Sequence, residues 1–227
     1  MLSDADRERI RDAIIRAEQT TSGEIYCVLT HEASHYREVP VTWAAVMALI
    51  LPPMALLVGL RPAAFTQILP GWTAVQIGAV DNAVLRALTA YAVIQALLFA
   101  VTAFVVSVPP VRRVLTPSFL KRHRVRQVAM HHFVSAGVHL AEAEPHVLIY
   151  AALIDRQVEI VAAQAIHSVV GETVWTAATA AVTSAMRAGD VGGGFVHAIE
   201  IVGAALAKHF PADRAKRNIL PDAIAEV

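Results

Sequence analysis

Charge is what this sequence has least of. Asp, Glu, Lys and Arg make up 17% of its 227 residues, against about 25% in an ordinary soluble domain. The formal net charge is +0, so no global excess of positive charge favours nucleic acid, and none is expected as a partner. Cysteine occurs once, at Cys27. A single thiol excludes an intramolecular disulfide and a Cys-based zinc cluster. Cys27 lies in an apolar run and reads as a buried strand residue. The N-terminal stretch has no apolar h-region and no cleavage site, so no signal peptide is expected. Catalytic signatures are missing too. There is no His-Glu-x-x-His, no P-loop Lys-Ser/Thr after the glycines at 192–194, and no Gly-x-Ser-x-Gly around any serine.

Apolar residues are abundant instead, at 56% with a mean hydropathy of +0.52. The excess is concentrated in two stretches, 39–60 and 87–111, that contain no charged residue. Each is longer than the roughly 20 residues needed to cross about 30 Å of hydrocarbon. Trp43 and Tyr91 lie near segment ends, where amphipathic rings favour the interface. Pro52 and Pro53 predict a kink in the first span. Residues 62–80 are also uncharged but are interrupted by Pro62, Gln67, Pro70, Gly71 and Gln76. They read as an interfacial or re-entrant connection, which leaves a two-helix transmembrane hairpin.

The flanks read as one folded domain. Ser3 and Asp6 have capping-box spacing, and Ile10, Ala13, Ile14 and Ala17 trace a helical face. Glu24-Ile25-Tyr26-Cys27-Val28-Leu29-Thr30 reads as a strand. After the second span, Thr116-Pro117 reads as an N-cap with proline at the first helical position, opening a helix that runs to about Leu140. Residues 146–154 and 157–162 form two strands joined by a tight turn at Asp155-Arg156. Helices follow over about 172–187 and 194–209, separated by the glycine-rich stretch 189–194. The fold class is therefore α/β: a small sheet flanked by helices, with the hairpin inserted after the first strand. The expected divisions are 1–38, 39–111, 112–211 and a polar tail at 212–227.

A lone strand before the hairpin needs partners, and they occur only after it. Both flanks must then share a side, which requires an even number of crossings. Arg112, Arg113, Lys121, Arg122, Arg124 and Arg126 follow the second span, with no acidic residue over 111–140. The positive-inside rule places both termini and the domain in the cytoplasm of a bacterial-type inner membrane. The same six side chains are candidates for contact with anionic lipid headgroups.

Candidate chemistry is sparse. Glu24, Asp155, Arg156 and Glu159 lie at or between strands and are the candidate binding residues. Arg156 and Glu159 suit an ion pair. His31 and His35 flank Glu32, but in a loop. His131, His132 and His139 share a helix, with Glu142 nearby. Neither group supplies a metal set, so no metal site is expected. The glycines at 192–194 read as a flexible turn.

The segments 21–29 (TSGEIYCVL), 146–162 (HVLIYAALIDRQVEIVA) and 189–211 together resemble the TPM domain family. That family includes thylakoid-lumen proteins tied to photosystem II repair and bacterial membrane proteins without an assigned role. The resemblance implies a sandwich of sheet and helices. Acid phosphatase activity and divalent-metal binding are ascribed to some members. The family usually carries one or two acidic residues and a glycine after the second strand of the pair, where this chain has Ala163-Gln164-Ala165. A hard cation needs several oxygen ligands, so no cofactor is predicted, and a divalent metal is implied by the resemblance alone. Two functions follow as expectations. One is a membrane-anchored interaction or assembly and quality-control module for other membrane proteins. The other is a metal-dependent phosphatase-like hydrolase with a degenerate acidic site, using Glu24, Asp155 and Glu159. A transporter is the weakest class, because the spans carry no ionisable residue.

Overall fold

The computed structural model describes residues 2–34, 36–59, 83–137, 145–212 and 220–227. The connection at 62–80, His35, His139 and Glu142 lie outside these residues. The chain divides into two compact units, residues 1–35 with 118–227, and residues 36–117.

The first unit is a four-stranded mixed sheet flanked by helices. Helix α1 (Asp4–Glu18) starts on the expected capping box, in which Ser3 and Asp6 satisfy each other's backbone N–H groups. Its Ile10, Ala13 and Ile14 are buried. Strand β1 (Glu24–Thr30) follows. Strands β2 (His146–Ala152) and β3 (Gln157–Ala162) form an antiparallel pair. β1 runs parallel to β2 in a register from Glu24↔His146 to Thr30↔Ala152. The stretch read as a polar tail supplies a fourth strand, β4 (Ile224–Glu226), parallel to the other edge of β1. The order is β3-β2-β1-β4, so β1 is an interior strand.

Alternation along the strands gives the sheet two different faces. Ile25, Cys27, Leu29, Val147, Ile149 and Ala151 face a large core. There they meet α1 and two later helices, α7 (Glu172–Ala188) and α8 (Val191–His209). Cys27 is fully buried, and burial pushes its thiol pKa well above the ordinary value. The opposite face, with Val28, Leu148, Tyr150 and Ala152, packs on Val125 and Ala129. These come from α5 (Ser118–Gly137). A short helix, α6 (Gln164–His167), links β3 to α7.

The second unit contains α2 (Glu38–Leu57), α3 (Ala83–Ser107) and α4 (Pro109–Leu115). α2 and α3 pack on each other. α2 continues through Pro52 and Pro53. α3 ends at Ser107, short of the expected 111, and Pro109 and Pro110 open α4. Neither proline can donate to a preceding carbonyl, so both sit where a helix needs no donor. Thr116 is a C-cap rather than an N-cap. Its hydroxyl donates back to the Arg112 carbonyl at 2.7 Å, and α5 begins two residues later. The Trp43 indole donates to the Leu115 carbonyl at 3.1 Å.

The glycine-rich stretch is mostly helix. Gly189 caps α7 in the left-handed region at φ 85°, and α8 starts at Val191. The glycines inside α8 permit close packing. A Cβ on Gly194 would lie 2.5 Å from Ala185 Cβ and 3.2 Å from Val182 Cα. Gly194→Val is expected to cost about 1–3 kcal/mol by overpacking. Urea unfolding of the purified chain, followed by circular dichroism, measures this. An unchanged midpoint would show that α7 and α8 are not packed this closely.

Candidate functional site

The four candidate binding residues do not converge. Glu24 begins β1 and is 2% exposed. Its Oε2 accepts from the Leu220 N–H at 3.3 Å. Asp155 and Arg156 lie at the far end of the strand. There Leu153 N donates to the Thr30 carbonyl and Ile154 N to the His31 carbonyl, both at 3.0 Å. Seven residues of strand at about 3.3 Å each put about 20 Å between those ends. Asp155 is 6% exposed, and its carboxylate accepts from Ala33 N–H at 3.1 Å. It thereby ties the β2–β3 turn to the segment leaving β1. Arg156 sits in that turn with φ 49°, a left-handed conformation that is uncommon outside glycine.

Glu159 occupies the middle of β3, opposite Tyr150. Both belong to the face covered by α5. The ion pair of Glu159 is with Arg126 of α5, at 3.7 Å, and not with Arg156 as the sequence suggested. Burial raises the Glu159 carboxyl pKa, and the Arg126 charge pulls it partly back. Tyr150 is fully buried, and burial pushes its hydroxyl up to about 12, with the nearby Thr30 side chain pulling weakly the other way. The His132 ring stacks on Tyr150 with centroids 5.8 Å apart. Burial and the neighbouring His131 lower the His132 pKa. The next residue, Phe133, stacks on His146 at 4.4 Å.

These groups form a polar strip between α5 and the sheet. It contains Glu159, Tyr150, His132 and Arg126, with Thr30 and Asp155 toward the C-terminal ends of the parallel strands. Crevices at such strand ends are the usual ligand positions of open α/β sheets. Glu159 can hold a proton at a higher pH than a free carboxylate, while His132 gives up its proton at a lower pH than a free imidazole and Tyr150 keeps its own to a higher pH than a free phenol. Among the described residues, no group of three or more His, Cys, Asp or Glu is arranged to hold a metal ion. Sequence reasoning missed Tyr150 and the Arg126 partnership, and weighed His132 only as part of a metal set. The period-2 pairing of Tyr150 with Glu159 was the available signal, but it requires the hairpin register.

The glycines at 192–194 do not form an open anion cradle. The Asp190 carboxylate already accepts from Gly193 N–H at 2.9 Å. A shallow groove between α1 and α8, lined by Ala13, Arg16, Ala17, Thr20, Glu200, Gly203 and Ala204, contains none of the candidate residues.

Residues 109–205 match the family model of the TPM domain. That stretch has the sequence pattern of a TPM domain. The search of curated proteins gives no match. Among solved structures, the chain is similar to the BA42 protein from the psychrophilic bacterium Bizionia argentinensis, determined by NMR. Identity is 20% over 100% of this chain and 96% of that one, with a TM-score of 0.55. At that identity the likeness is one of fold. The matched TPM segment includes Asp155, Arg156 and Glu159 but not Glu24. The positions Ala163-Gln164-Ala165 cap and open α6, with Ala163 as its N-cap.

The Glu159 pKa shift has a definite sign. Its folded-state value lies above the ordinary value of 4.5, so the folded TPM domain binds this proton more tightly than the unfolded chain. That stabilisation is complete below the unfolded value and is lost as pH rises through the folded one. Glu159→Gln cannot lose it. The stability of Glu159→Gln relative to the parent should therefore increase between pH 4 and pH 7 (on the order of the shift itself). Denaturant midpoints at both pH values check this, and a pH-independent difference would remove the assigned shift.

Proposed function

We propose that this chain is a membrane-anchored TPM module, with α2 and α3 crossing the bilayer as a pair. The observation that carries this reading is the outer surface of that pair. Leu49, Ile50, Met54, Leu57, Leu97, Val101 and Phe104 are all exposed, Leu57 at 83% and Phe104 at 76%. A contiguous apolar surface of this kind is unfavourable in water and suits hydrocarbon. Twenty helical residues in α2 span about 30 Å, the thickness of the bilayer core.

Glu38–Leu57, Leu88–Ser107 and Val191–His209 are each long and apolar enough to cross a membrane. The last of these buries Phe195, Ala198, Ile199, Val202 and Leu206 in the domain core. Its apolar face is already satisfied there, which favours a two-span reading. The basic run from Arg112 to Arg126, without an acidic residue, favours a cytoplasmic TPM domain. Arg112 and Arg113 of α4 would then lie near the headgroups.

For the module itself, the reading is an interaction or assembly factor for other membrane proteins. It is supported by the distance between Glu24 and the Asp155 turn, which is far beyond the 2.0–2.6 Å bonds of a shared metal. The phosphatase reading retains Asp155 and Glu159, which share one hairpin of the matched TPM segment.

Three measurements separate these statements. Alkaline carbonate extraction should leave the chain in the membrane pellet, and release into the supernatant would end the two-span reading. Cys27 is buried, so Glu172→Cys supplies an exposed thiol over a low background. A membrane-impermeant maleimide should label it in inverted vesicles and not in intact spheroplasts, and the reverse pattern would invert the orientation. Cross-linking in native membranes should recover a reproducible membrane-protein partner. Failure to do so, together with metal-dependent hydrolysis of phosphomonoesters by the purified chain, would favour the enzyme.

A further inference from the structure

Helix α5 buries one face against the sheet through Val125 and Ala129, with Val128 and Phe133 beside them. Its opposite face is unusual for a surface helix. Phe119 is 72% exposed, Met130 42% and Val134 59%. Together with His123, also exposed, they recur at spacings of 4, 7 and 4 residues and so fall on one stripe. At 100° per residue, Arg122 and Arg126 flank that stripe on one side and Arg124 and His131 on the other. Arg126 remains 70% exposed while facing Glu159. No acidic residue occurs anywhere on α5.

Exposed Phe and Met, with Arg122 and Arg126 on one side, half-buried Arg124 and exposed His131 on the other and no negative charge, suit a helix face turned to a headgroup layer. The apolar stripe suits the acyl boundary, and the flanking guanidinium groups suit lipid phosphates. A neutral protein partner would offer nothing to the exposed Arg122, and a second copy of α5 would oppose like charges.

We propose that the outer face of α5 is an interfacial membrane-binding surface for anionic lipids, with Phe119, Met130 and Val134 seated among the headgroups. This rests on the membrane-anchored reading and adds a second, lipid-selective contact from within the TPM domain. The occupant is a bilayer bearing anionic headgroups, not free phosphate.

The test uses the full chain reconstituted in nanodiscs of phosphatidylcholine alone or with phosphatidylglycerol. An environment-sensitive fluorophore is attached at Phe119→Cys or Met130→Cys, with Glu172→Cys as the control. Cys27 is buried and contributes little labelling. With anionic lipid, the α5 probes should shift to the blue and be quenched by doxyl-labelled lipid. The control should do neither. In pure phosphatidylcholine, or at high salt, the shift should shrink. Arg122→Glu with Arg124→Glu should abolish it while the circular dichroism spectrum is retained. The lipid comparison stands alone if that variant misfolds.

Water-like emission in both lipids, from protein that co-purifies with the nanodiscs, overturns the proposal and leaves the membrane anchor intact. A blue shift that depends on copies per disc rather than on lipid charge also overturns it, in favour of self-association. Failure of the chain to enter nanodiscs at all faults the anchor itself. Added inorganic phosphate should not displace the anionic-lipid signal beyond its effect as a salt, and specific displacement would overturn the headgroup assignment.

Discussion

Strand β1 has to be hydrogen-bonded on both edges because it is buried. Six of its seven residues are buried, and their backbone groups have no water to turn to. One edge is met by β2 along the full length of β1, the other by β4 at Cys27, Val28 and Leu29. Both partners come from sequence that follows the two long apolar helices. The sheet therefore closes only if the chain returns to where it left. A membrane crossing between β1 and β2 has to be matched by a return crossing. The pairing of one strand thus constrains the permitted topology of the whole chain.

The two faces of the sheet carry different tasks. One is covered by α1, α7 and α8 in a largely apolar core, where buried Glu18 accepts from the Ile25 N–H at 2.8 Å and α8 glycines allow close helix contact. The other is covered by α5, and it holds the polar strip of Glu159, Tyr150 and His132. A single covering helix leaves partial solvent access, and this lets a carboxylate and an imidazole remain there at modest energetic cost. The pKa shifts follow the same geometry: burial raises the carboxyl and phenol and lowers the imidazole. This face combines titratable groups on its inside with a basic-bordered apolar stripe on the outside of α5, the one long helix among the described residues that covers it.

The TPM match covers residues 109–205 and leaves the activity to the site. Folds host many functions, so the carboxylates have to be judged by where they stand. Asp155 spends its carboxylate on a backbone N–H that fixes a turn. Glu159 has an arginine partner. Glu24 is occupied at the opposite end of the sheet. Each has a structural task in its own location, which is the physical basis for preferring an interaction module.

Much of the local structure was legible in the residues. The bounds of β1 and β3, the Ser3–Asp6 cap and the two apolar helices all follow from periodicity, capping chemistry or run length, which act over a few neighbouring residues. The family resemblance was legible for the same reason, in contiguous strand–turn–strand sequence. Other features required the assembled domain. Ile224–Glu226 has too few residues to declare a strand, and becomes one because β1 offers an open edge. Thr116 could cap either adjoining helix, and the Arg112 carbonyl decided which. The glycines at 192–194 look like a turn until Asp6, Ala185 and Val182 are seen beside them. Glu159 met Arg126 rather than Arg156 because the pairing depends on which helix covers its face. The low charge and two uncharged runs from which the reading began determined that this chain has apolar helices to hide. Only the tertiary structure decided which helix was hidden in the core and which side chains were left outside, because burial is a property of neighbours that the sequence does not place side by side.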